Sequence, residues 1–268
     1  MCCHALDSGR MQPLNFVKQG QGPIVVLSHA LGCDLSMWDG VTAALQDRYT
    51  VLRYDHRGHG RSTADDGAYD IDALADDAAA LIRAQAGGQP VHFAGLSMGG
   101  MTAQALGARH PGLVRSLVVA NSASHYDAAA RTMWQARIDT VLSQGVAAIA
   151  DGAMERWFTP ELRADVAGGG AARVAKLRAV LVATPAAPYA DACAAVARID
   201  LAAGNGRIAC PTLVIAGSRD EATPPAMSEA IAAQIPGARL VTLDAAHLSA
   251  VEQPAAFSAL LAEFWSTL

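Results

Sequence analysis

The chain has 268 residues, of which 52% are hydrophobic and 17% are charged, and its formal net charge is −5 at pH 7. This composition excludes a disordered chain, and the length suits one large domain with an insertion or two small domains. The negative charge provides no basic face, so we expect neither nucleic acid nor an anionic membrane as a partner.

Short apolar runs separated by turn residues predict buried strands along most of the chain. The predicted strands are Ile24–Ser28, Tyr49–Tyr54, Val91–Ala94, Leu113–Ala120, Thr212–Ala216 and Leu240–Leu243, with Leu14–Lys18 as an antiparallel edge. The helical segments between them are Trp38–Leu45, Ile71–Ala86, Met98–Arg109, Ala226–Gln234 and Gln253–Thr267. Because strand and helix alternate, the other strands should be parallel and joined by right-handed crossovers, with helices on both faces of the sheet.

The alternation stops in the middle of the chain, where alanine-rich helical stretches contain no convincing strand. This pattern predicts a helical cap, inserted into an α/β core and closing over the carboxyl edge of its sheet. We assign residues 1–124 and 205–268 to the core and residues 125–204 to the cap. The glycines at 168–170 and the Thr-Pro pair at 184–185 are expected as breaks between cap helices.

Ser97 lies in the sequence Gly95-Leu96-Ser97-Met98-Gly99, between a predicted strand and a predicted helix. A sharp strand-to-helix turn has no room for side chains two positions before and after the serine, and both positions are glycine. Such a turn projects Oγ above the sheet and directs the N–H of Met98, at the helix start, toward an anion that forms beside it. We therefore predict Ser97 as a nucleophile.

A serine nucleophile needs a base within hydrogen-bond reach and an acid that orients the base. His247 and Asp220 each follow a predicted strand, so both should lie at the carboxyl edge of the sheet, where Ser97 lies. We predict His247 as the general base and Asp220 as the carboxylate that holds it. Glu221 and Asp244 are competitors for the role of the acid.

The turn after the first buried strand reads H-A-L-G at 29–32. We predict that the backbone N–H of Leu31 pairs with that of Met98 to form an oxyanion hole. His29 is expected to shape this loop rather than to act as a base. Asp55 also ends a strand, but its arginine-rich loop predicts structural salt bridges.

Five longer motifs accompany these residues. They are LGCDLSMW at 31–38, RYDHRGHGRS at 53–62, GLSMGGM at 95–101, RWFTP at 156–160 and AAHLS at 245–249. With them, and with the order Ser, Asp, His, the chain resembles the α/β-hydrolase superfamily along nearly its full length. The DLSMW stretch, the RWFTP of the cap and the HLS ending are more selective, and they resemble the 3-oxoadipate enol-lactonases of aromatic catabolism.

The resemblance implies that a small anionic five-membered enol-lactone is opened by water to 3-oxoadipate through an acyl-enzyme, without a metal or an organic cofactor. Trp134 and Arg131, three apart in the first predicted cap helix, share a helix face and are candidates for substrate binding. Arg131 and its neighbour Arg137 are equally compatible with solvated surface charges.

Fold and triad do not specify a substrate, so other functions stay open. Within the hydrolases, the alternatives are a broad small-ester hydrolase, a carbon–carbon bond hydrolase and a cofactor-free perhydrolase. A haloalkane dehalogenase would carry an aspartate at the position of Ser97 and is disfavoured. From another class, the fold could serve as a small-molecule receptor with a slow or vestigial triad.

The cysteines and the first residues bear on location. Five cysteines occur, an odd number without paired metal-ligand spacing: Cys2, Cys3, Cys33, Cys193 and Cys210. They predict reduced thiols, with the Cys2-Cys3 pair incidental. Neither a signal peptide nor an apolar run of about 18 residues is present, so we predict a cytoplasmic protein that is not inserted in a membrane.

Overall fold

The computed structural model describes residues 14–63 and 67–268, so the expectation for the Cys2-Cys3 pair lies outside the described residues. Within them, the strands are β1 (Phe16–Gly20), β2 (Ile24–Ser28), β3 (Thr50–Tyr54), β4 (Val91–Leu96), β5 (Val114–Ala120), β6 (Thr212–Gly217) and β7 (Arg239–Leu243). The helices are α1 (Asp39–Leu45), α2 (Ile71–Ala86), α3 (Met98–Arg109), α4 (Ala128–Gln144), α5 (Ala147–Trp157), α6 (Pro160–Ala164), α7 (Gly170–Ala183), α8 (Ala186–Ala197), α9 (Ala202–Asn205), α10 (Pro225–Gln234), α11 (Ser249–Glu252) and α12 (Pro254–Ser266).

The strands form one sheet in the order β1-β3-β2-β4-β5-β6-β7. Only β1 runs antiparallel to its neighbour within the described sheet, and all other neighbouring pairs are parallel. The central strands are buried along almost their whole length because helices cover them on both faces. One group of packed helices contains α1, α11 and α12, and another contains α2, α3, α9 and α10. The predicted mostly parallel sheet with an antiparallel edge is confirmed.

Most predicted element bounds hold, and the exceptions have local causes. The predicted helix Trp38–Leu45 is wrong at its start, because Leu35–Trp38 forms a 3₁₀ turn before α1. The Asp34 carboxylate accepts a hydrogen bond from the Ser36 N–H at 2.9 Å and so caps that turn. Strand β4 runs to Leu96 instead of Ala94, because its last two residues still pair with β5.

The segment between β5 and β6 is helical, as the prediction of an inserted cap requires. Helices α4 to α8 follow one another there, with breaks at the glycines of 168–170 and at the Thr-Pro pair of 184–185. The two ends of the insertion meet, because Leu201 N–H donates to Ser124 O at 2.8 Å and His125 forms a β-bridge with Asp200. The exact division at residues 125 and 204 stays a prediction.

The apolar character of the cap raises the question of membrane insertion. Among the residues that the structure describes, every single helix is too short or too polar to span a bilayer. Helices α7 and α8 have the necessary length and composition only when they are counted together, and they are bent by 100° at their break. In the same residues Cys33, Cys193 and Cys210 are free thiols.

Among the described residues Asp55 takes part in none of the ion pairs found, contrary to the prediction, and Arg57 of its loop pairs with Asp77. The Asp55 carboxylate accepts hydrogen bonds from the Leu35 N–H at 2.7 Å, from the Arg61 N–H at 2.8 Å and from Asn15 Nδ2 at 2.7 Å. The arginine-rich loop therefore contacts Asp55 through the backbone N–H of Arg61. Asp55 holds three loop segments together behind the carboxyl edge of the sheet.

Three histidines, His29, His56 and His59, are buried side by side in this region. His29 Nε2 accepts the His56 N–H at 2.9 Å, and its Nδ1 lies 2.8 Å from the Ala30 carbonyl, to which it donates. These contacts need a neutral ring and shape the loop that leads to Leu31. Burial lowers the pKa of His29 to about 4 and that of His59 to about 3.

We expect the buried histidines to make the fold sensitive to acid. In the unfolded chain they titrate near pH 6.5, so the unfolded state binds more protons than the native state below that pH. The free energy of unfolding should therefore be insensitive to these groups above about pH 6.5 and should fall as the pH is lowered toward 4. His59 contributes up to about 2 kcal/mol of this loss at pH 5.

The measurement is urea unfolding at pH 7.5 and pH 5. His59→Asn keeps a donor for the Arg57 carbonyl, which His59 Nδ1 contacts at 3.1 Å, and removes the titrating ring. This variant should lose less stability on acidification than the wild type. The control is His125→Asn, at a half-exposed position. Equal losses in His59→Asn and in the wild type would contradict the expectation.

Candidate active site

Ser97 occupies a tight turn between β4 and α3. Its backbone has φ 58° and ψ −116°, a region that non-glycine residues rarely adopt. A Cβ on Gly95 would lie 1.9 Å from the carbonyl oxygen of Gly99, and a Cβ on Gly99 would lie 2.1 Å from that of Ser28. Both positions must therefore be glycine, and the packing of three backbone segments holds Ser97 in its strained conformation.

Ser97, His247 and Asp220 come together at the carboxyl edge of the sheet. Ser97 Oγ lies 2.9 Å from His247 Nε2, and His247 Nδ1 lies 2.9 Å from Asp220 Oδ2 and 3.1 Å from Oδ1. The three residues follow β4, β7 and β6, whose carboxyl ends share that edge. The contacts that the sequence predicts for these three side chains are present.

The two competing acids lie elsewhere. Asp244 pairs with Arg219, Oδ1 to Nε, at 3.0 Å and is exposed. Glu221 is exposed and lies at the wall of the cavity described below. Of the three acids, the structure places Asp220 against the imidazole.

Asp220 is held as a carboxylate. Burial by itself raises its pKa, but the charge and the hydrogen bond of His247, together with other donors, outweigh burial and lower the pKa to about 2. The donors are the N–H groups of Ala222 and Thr223 at 2.8 and 2.9 Å, Thr223 Oγ1 at 2.7 Å and Asn121 Nδ2 at 2.9 Å. Asp220 is therefore ionised at neutral pH, and it can stabilise an imidazolium.

Asn121 is a site residue that the sequence interpretation missed. It follows β5 with φ 45°, a conformation that asparagine tolerates better than most residues. Its Nδ2 donates to Asp220 and, at 3.3 Å, to the Ala246 carbonyl, while its Oδ1 accepts the Ser249 hydroxyl at 2.5 Å. A signal existed, because a polar residue directly follows a predicted buried strand, and Ser249 ends the HLS motif.

The two predicted oxyanion donors belong to two different segments near Ser97. Leu31 lines the same cavity as Ser97, in a loop that turns through Gly32 with φ 73°. The Met98 N–H belongs to the first turn of α3, where backbone donors have no acceptor inside the helix. Among the described residues neither N–H is taken by another backbone carbonyl. Both are thus free to bind an anion, and their role in an oxyanion hole stays a prediction.

A cavity of about 490 Å³ opens above Ser97 and His247, between the core and the cap. Its apolar lining includes Leu31, Tyr126, Met133, Trp134, Ile149, Trp157 and Met227. The charged side chains in the lining are Arg137, Arg156 and Glu221. Within the described residues, no group of three His, Cys, Asp or Glu side chains is arranged to hold a metal ion.

The cationic groups of the cavity come from the cap. Trp134 lines the cavity, whereas Arg131 is exposed and lies outside the lining, and substrate binding by either residue stays a prediction. Arg137, one turn after Trp134, lines the cavity. Its guanidinium carbon lies 5.6 Å from the ring centroids of both Trp134 and Tyr189, and its Nε is buried without a hydrogen-bond partner among the described residues. Arg156 lines the same cavity, and burial together with the nearby charge of Arg137 lowers its pKa.

A serine on a strand-to-helix turn of a mostly parallel sheet, in contact with a histidine and an aspartate from later loops, defines the α/β class of hydrolases. A family model described as the alpha/beta hydrolase fold matches residues 23–254. The chain therefore belongs to the α/β-hydrolase family, and the predicted fold, with its inserted helical cap, is confirmed.

Relatives within this family are similar along nearly the whole chain. The 3-oxoadipate enol-lactonase 2 of Acinetobacter baylyi is 40% identical to this chain over 247 residues, which are 91% of this chain and 90% of that protein. The 3-oxoadipate enol-lactonase 1 of the same organism is 35% identical to this chain, and the match covers 90% of this chain and 88% of that protein. The crystal structure of the enol-lactonase from Burkholderia xenovorans has a TM-score of 0.88 and 36% identity, covering 94% of this chain and 96% of that one.

We expect Asn121→Asp to damage the site without changing its shape. The substitution keeps a side chain of the same size but places a second carboxylate where Nδ2 contacts Asp220, at 2.9 Å. Two carboxylates at this distance cannot both ionise, so they share one proton at Asp220 Oδ2, the oxygen that also accepts from His247 Nδ1, and Asp220 then stabilises the imidazolium less well. Turnover of an aryl ester at pH 7 should fall at least about tenfold. Wild-type turnover in this variant would exclude Asn121 from the function of the site.

Proposed function

We propose that this protein is a serine hydrolase of carboxylic esters, and in particular a lactonase that opens 3-oxoadipate enol-lactone to 3-oxoadipate. The single observation that carries the proposal is the continuous line of contacts from Ser97 through His247 to Asp220 beneath a cavity with arginines in its cap wall. The names of the relatives in Acinetobacter and Burkholderia support the choice of substrate.

The first half of the proposed reaction forms an acyl-enzyme. Ser97 Oγ attacks the lactone carbonyl while His247 Nε2, 2.9 Å away, accepts its proton. The N–H groups of Leu31 and Met98 hold the oxyanion. The ring carbon–oxygen bond then breaks, and His247 returns the proton to the departing enol oxygen. An enolate leaves more readily than a simple alkoxide, and tautomerisation of the enol to the ketone makes the opening effectively irreversible.

The second half of the reaction releases the acid. A water molecule attacks the acyl carbonyl of Ser97, and His247 accepts the proton of the water and then passes it to Oγ. Asp220 stays ionised throughout, because its folded pKa of about 2 lies far below neutral pH. This chemistry needs neither a metal nor an organic cofactor.

The charge of the cavity suits an anionic substrate. The enol-lactone carries a carboxylate on a short side chain, and the lining of the cavity is otherwise largely apolar. A carboxylate pays a large desolvation cost in such a lining unless a cation meets it. Arg137, fixed between the Trp134 and Tyr189 rings, is the cation that we assign to it. Arg156 is less suited, because the nearby Glu221 interacts with its charge.

The second candidate is a broad small-ester hydrolase. The observation that favours it is the number of apolar side chains around Ser97, which would accept neutral acyl groups as readily as a lactone. Both functions use the same triad, so only comparison of substrates separates them.

The direct test follows the loss of the ultraviolet absorbance of the enol-lactone. Wild-type protein should clear it far faster than buffer, and Ser97→Ala should reduce turnover on the order of 10³-fold or more. His247→Ala should cost a similar factor, with little further loss in the double variant, because the two residues act as a unit. No turnover of the lactone beside good turnover of aryl esters would favour the broad esterase. Ligand binding with negligible turnover of both would indicate a receptor.

Substitution of Arg137 tests the assignment of the carboxylate. Arg137→Leu should raise KM for the enol-lactone about tenfold or more, because a charge-assisted hydrogen bond is lost, while a neutral aryl ester should be hydrolysed almost as before. The matched control is Arg131→Leu, which makes the same change on the exposed side of α4 and should leave KM unaltered. A raised KM in the control and not in Arg137→Leu would transfer the carboxylate to Arg131.

A further inference from the structure

The loop that carries His247 is bonded to the cap on both sides of the histidine. After it, the Leu248 N–H donates to the Trp157 carbonyl at 3.1 Å. Before it, the Ala246 N–H donates to Glu252 Oε2 at 3.0 Å, and the other oxygen of Glu252 accepts the Thr159 hydroxyl. We call these two connections between the cap segment 157–159 and the histidine loop 246–248 the cap clamp.

Glu252 is the central residue of the cap clamp. Glu252 is the last residue of α11, and only 7% of its surface is exposed. Its two carboxyl oxygens accept hydrogen bonds from two uncharged groups, the Ala246 N–H and the Thr159 hydroxyl. Buried polar oxygens are costly unless they accept hydrogen bonds, and both oxygens of Glu252 do so here. Glu252 thereby fixes the distance between Thr159 of the cap and Ala246 of the core.

The cap clamp acts where small displacements matter. His247 lies between two anchored peptide groups, and its Nε2 must stay within hydrogen-bond reach of Ser97. The same cap segment also approaches the other side of the site. A Cβ on Gly32, next to Leu31, would lie 3.5 Å from Cη2 of Trp157. The cap segment therefore lies against both the histidine loop and the loop of the predicted oxyanion donor.

We propose that Glu252 and Thr159 are positioning residues, through which the cap holds His247 in line with Ser97. This inference rests on the proposed hydrolase function. It adds that His247 accepts the proton of Ser97 efficiently only while the cap is docked, so the cap does more than bind substrate. Neither residue lines the cavity, so each acts through the histidine loop and not on the substrate.

The experiment compares variants that break the side-chain connection of the cap clamp, from Thr159 through Glu252 to Ala246, with variants that retain it. Thr159→Val and Glu252→Met remove hydrogen-bonding atoms with little change in volume. Thr159→Ser retains the hydroxyl, and Glu252→Gln retains a carbonyl oxygen that can accept the Ala246 N–H. Both of these variants should keep most of the wild-type activity. Glu229→Met, the same substitution at an exposed position on α10, controls for the loss of a glutamate.

Two readouts are measured well below the thermal midpoint of each variant. The first is kcat and KM for the enol-lactone, and the second is the rate at which a fluorophosphonate probe labels Ser97. In Thr159→Val and Glu252→Met we expect kcat and the labelling rate to fall about tenfold, with KM changed less than twofold because Arg137 and Trp134 are untouched. The double variant should lose little more kcat and labelling rate than either single variant, because both substitutions break the same connection.

Stability alone cannot produce this result. Thr159→Val also removes the contact of Oγ1 with the Leu162 N–H at the start of α6, so a lower thermal midpoint is expected in any case. A lower midpoint with an unchanged labelling rate and unchanged kcat would overturn the inference and reduce the cap clamp to a structural tie. If Glu252→Met does not fold, Thr159→Val decides by the same criteria.

Failure of the proposed function gives a different result. Wild-type protein that neither reacts with the probe at Ser97 nor hydrolyses an ester contradicts the hydrolase function, and with it this inference. Wild-type protein that reacts with the probe but leaves the lactone intact contradicts only the choice of substrate, and the labelling rates then decide on the cap clamp. Equal labelling of the wild type, Thr159→Val and Glu252→Met contradicts the positioning role alone.

Discussion

The close approach of three backbone segments at the end of β4 is the constraint on which the site depends. Gly95 and Gly99 lie so near to each other and to Ser28 that neither position has room for a Cβ. This contact holds Ser97 in a conformation that it would not adopt alone, with its hydroxyl above the sheet and the start of α3 behind it. The packing of the surrounding core, which is buried on both faces of the sheet, offsets the free-energy cost of this conformation.

Much of the architecture could be predicted because it follows from local patterns. Apolar runs identify the central strands. Helix α2 lies between an N-cap residue, Asp70, and a glycine, Gly87, and its predicted bounds are correct. Ser97, Asp220 and His247 could be placed at one edge because parallel strands end there together, and the structure brings their side chains into contact. Their catalytic roles stay a prediction.

Features that depend on tertiary packing could not be predicted. Asn121 reaches Asp220 across 99 positions of sequence, and only the fold shows that its amide points there. Helical spacing allowed both Arg131 and Arg137 to face the cavity, and the rotation of α4 against the core selects Arg137. The basic composition of the loop near Asp55 suggested ion pairs, but the carboxylate bonds to backbone N–H groups, whose positions depend on how the loop is folded.

The connectivity of the sheet has a consequence for the biosynthesis of this protein. Ser97 is separated from His247 by 150 positions, and β6 and β7, which precede the acid and the base, form one edge of the sheet. A nascent chain that has been made only as far as β5 therefore contains Ser97 but neither Asp220 nor His247. The contacts from Ser97 through His247 to Asp220 can therefore form only after β6 and β7 have been synthesised and have docked on the rest of the sheet.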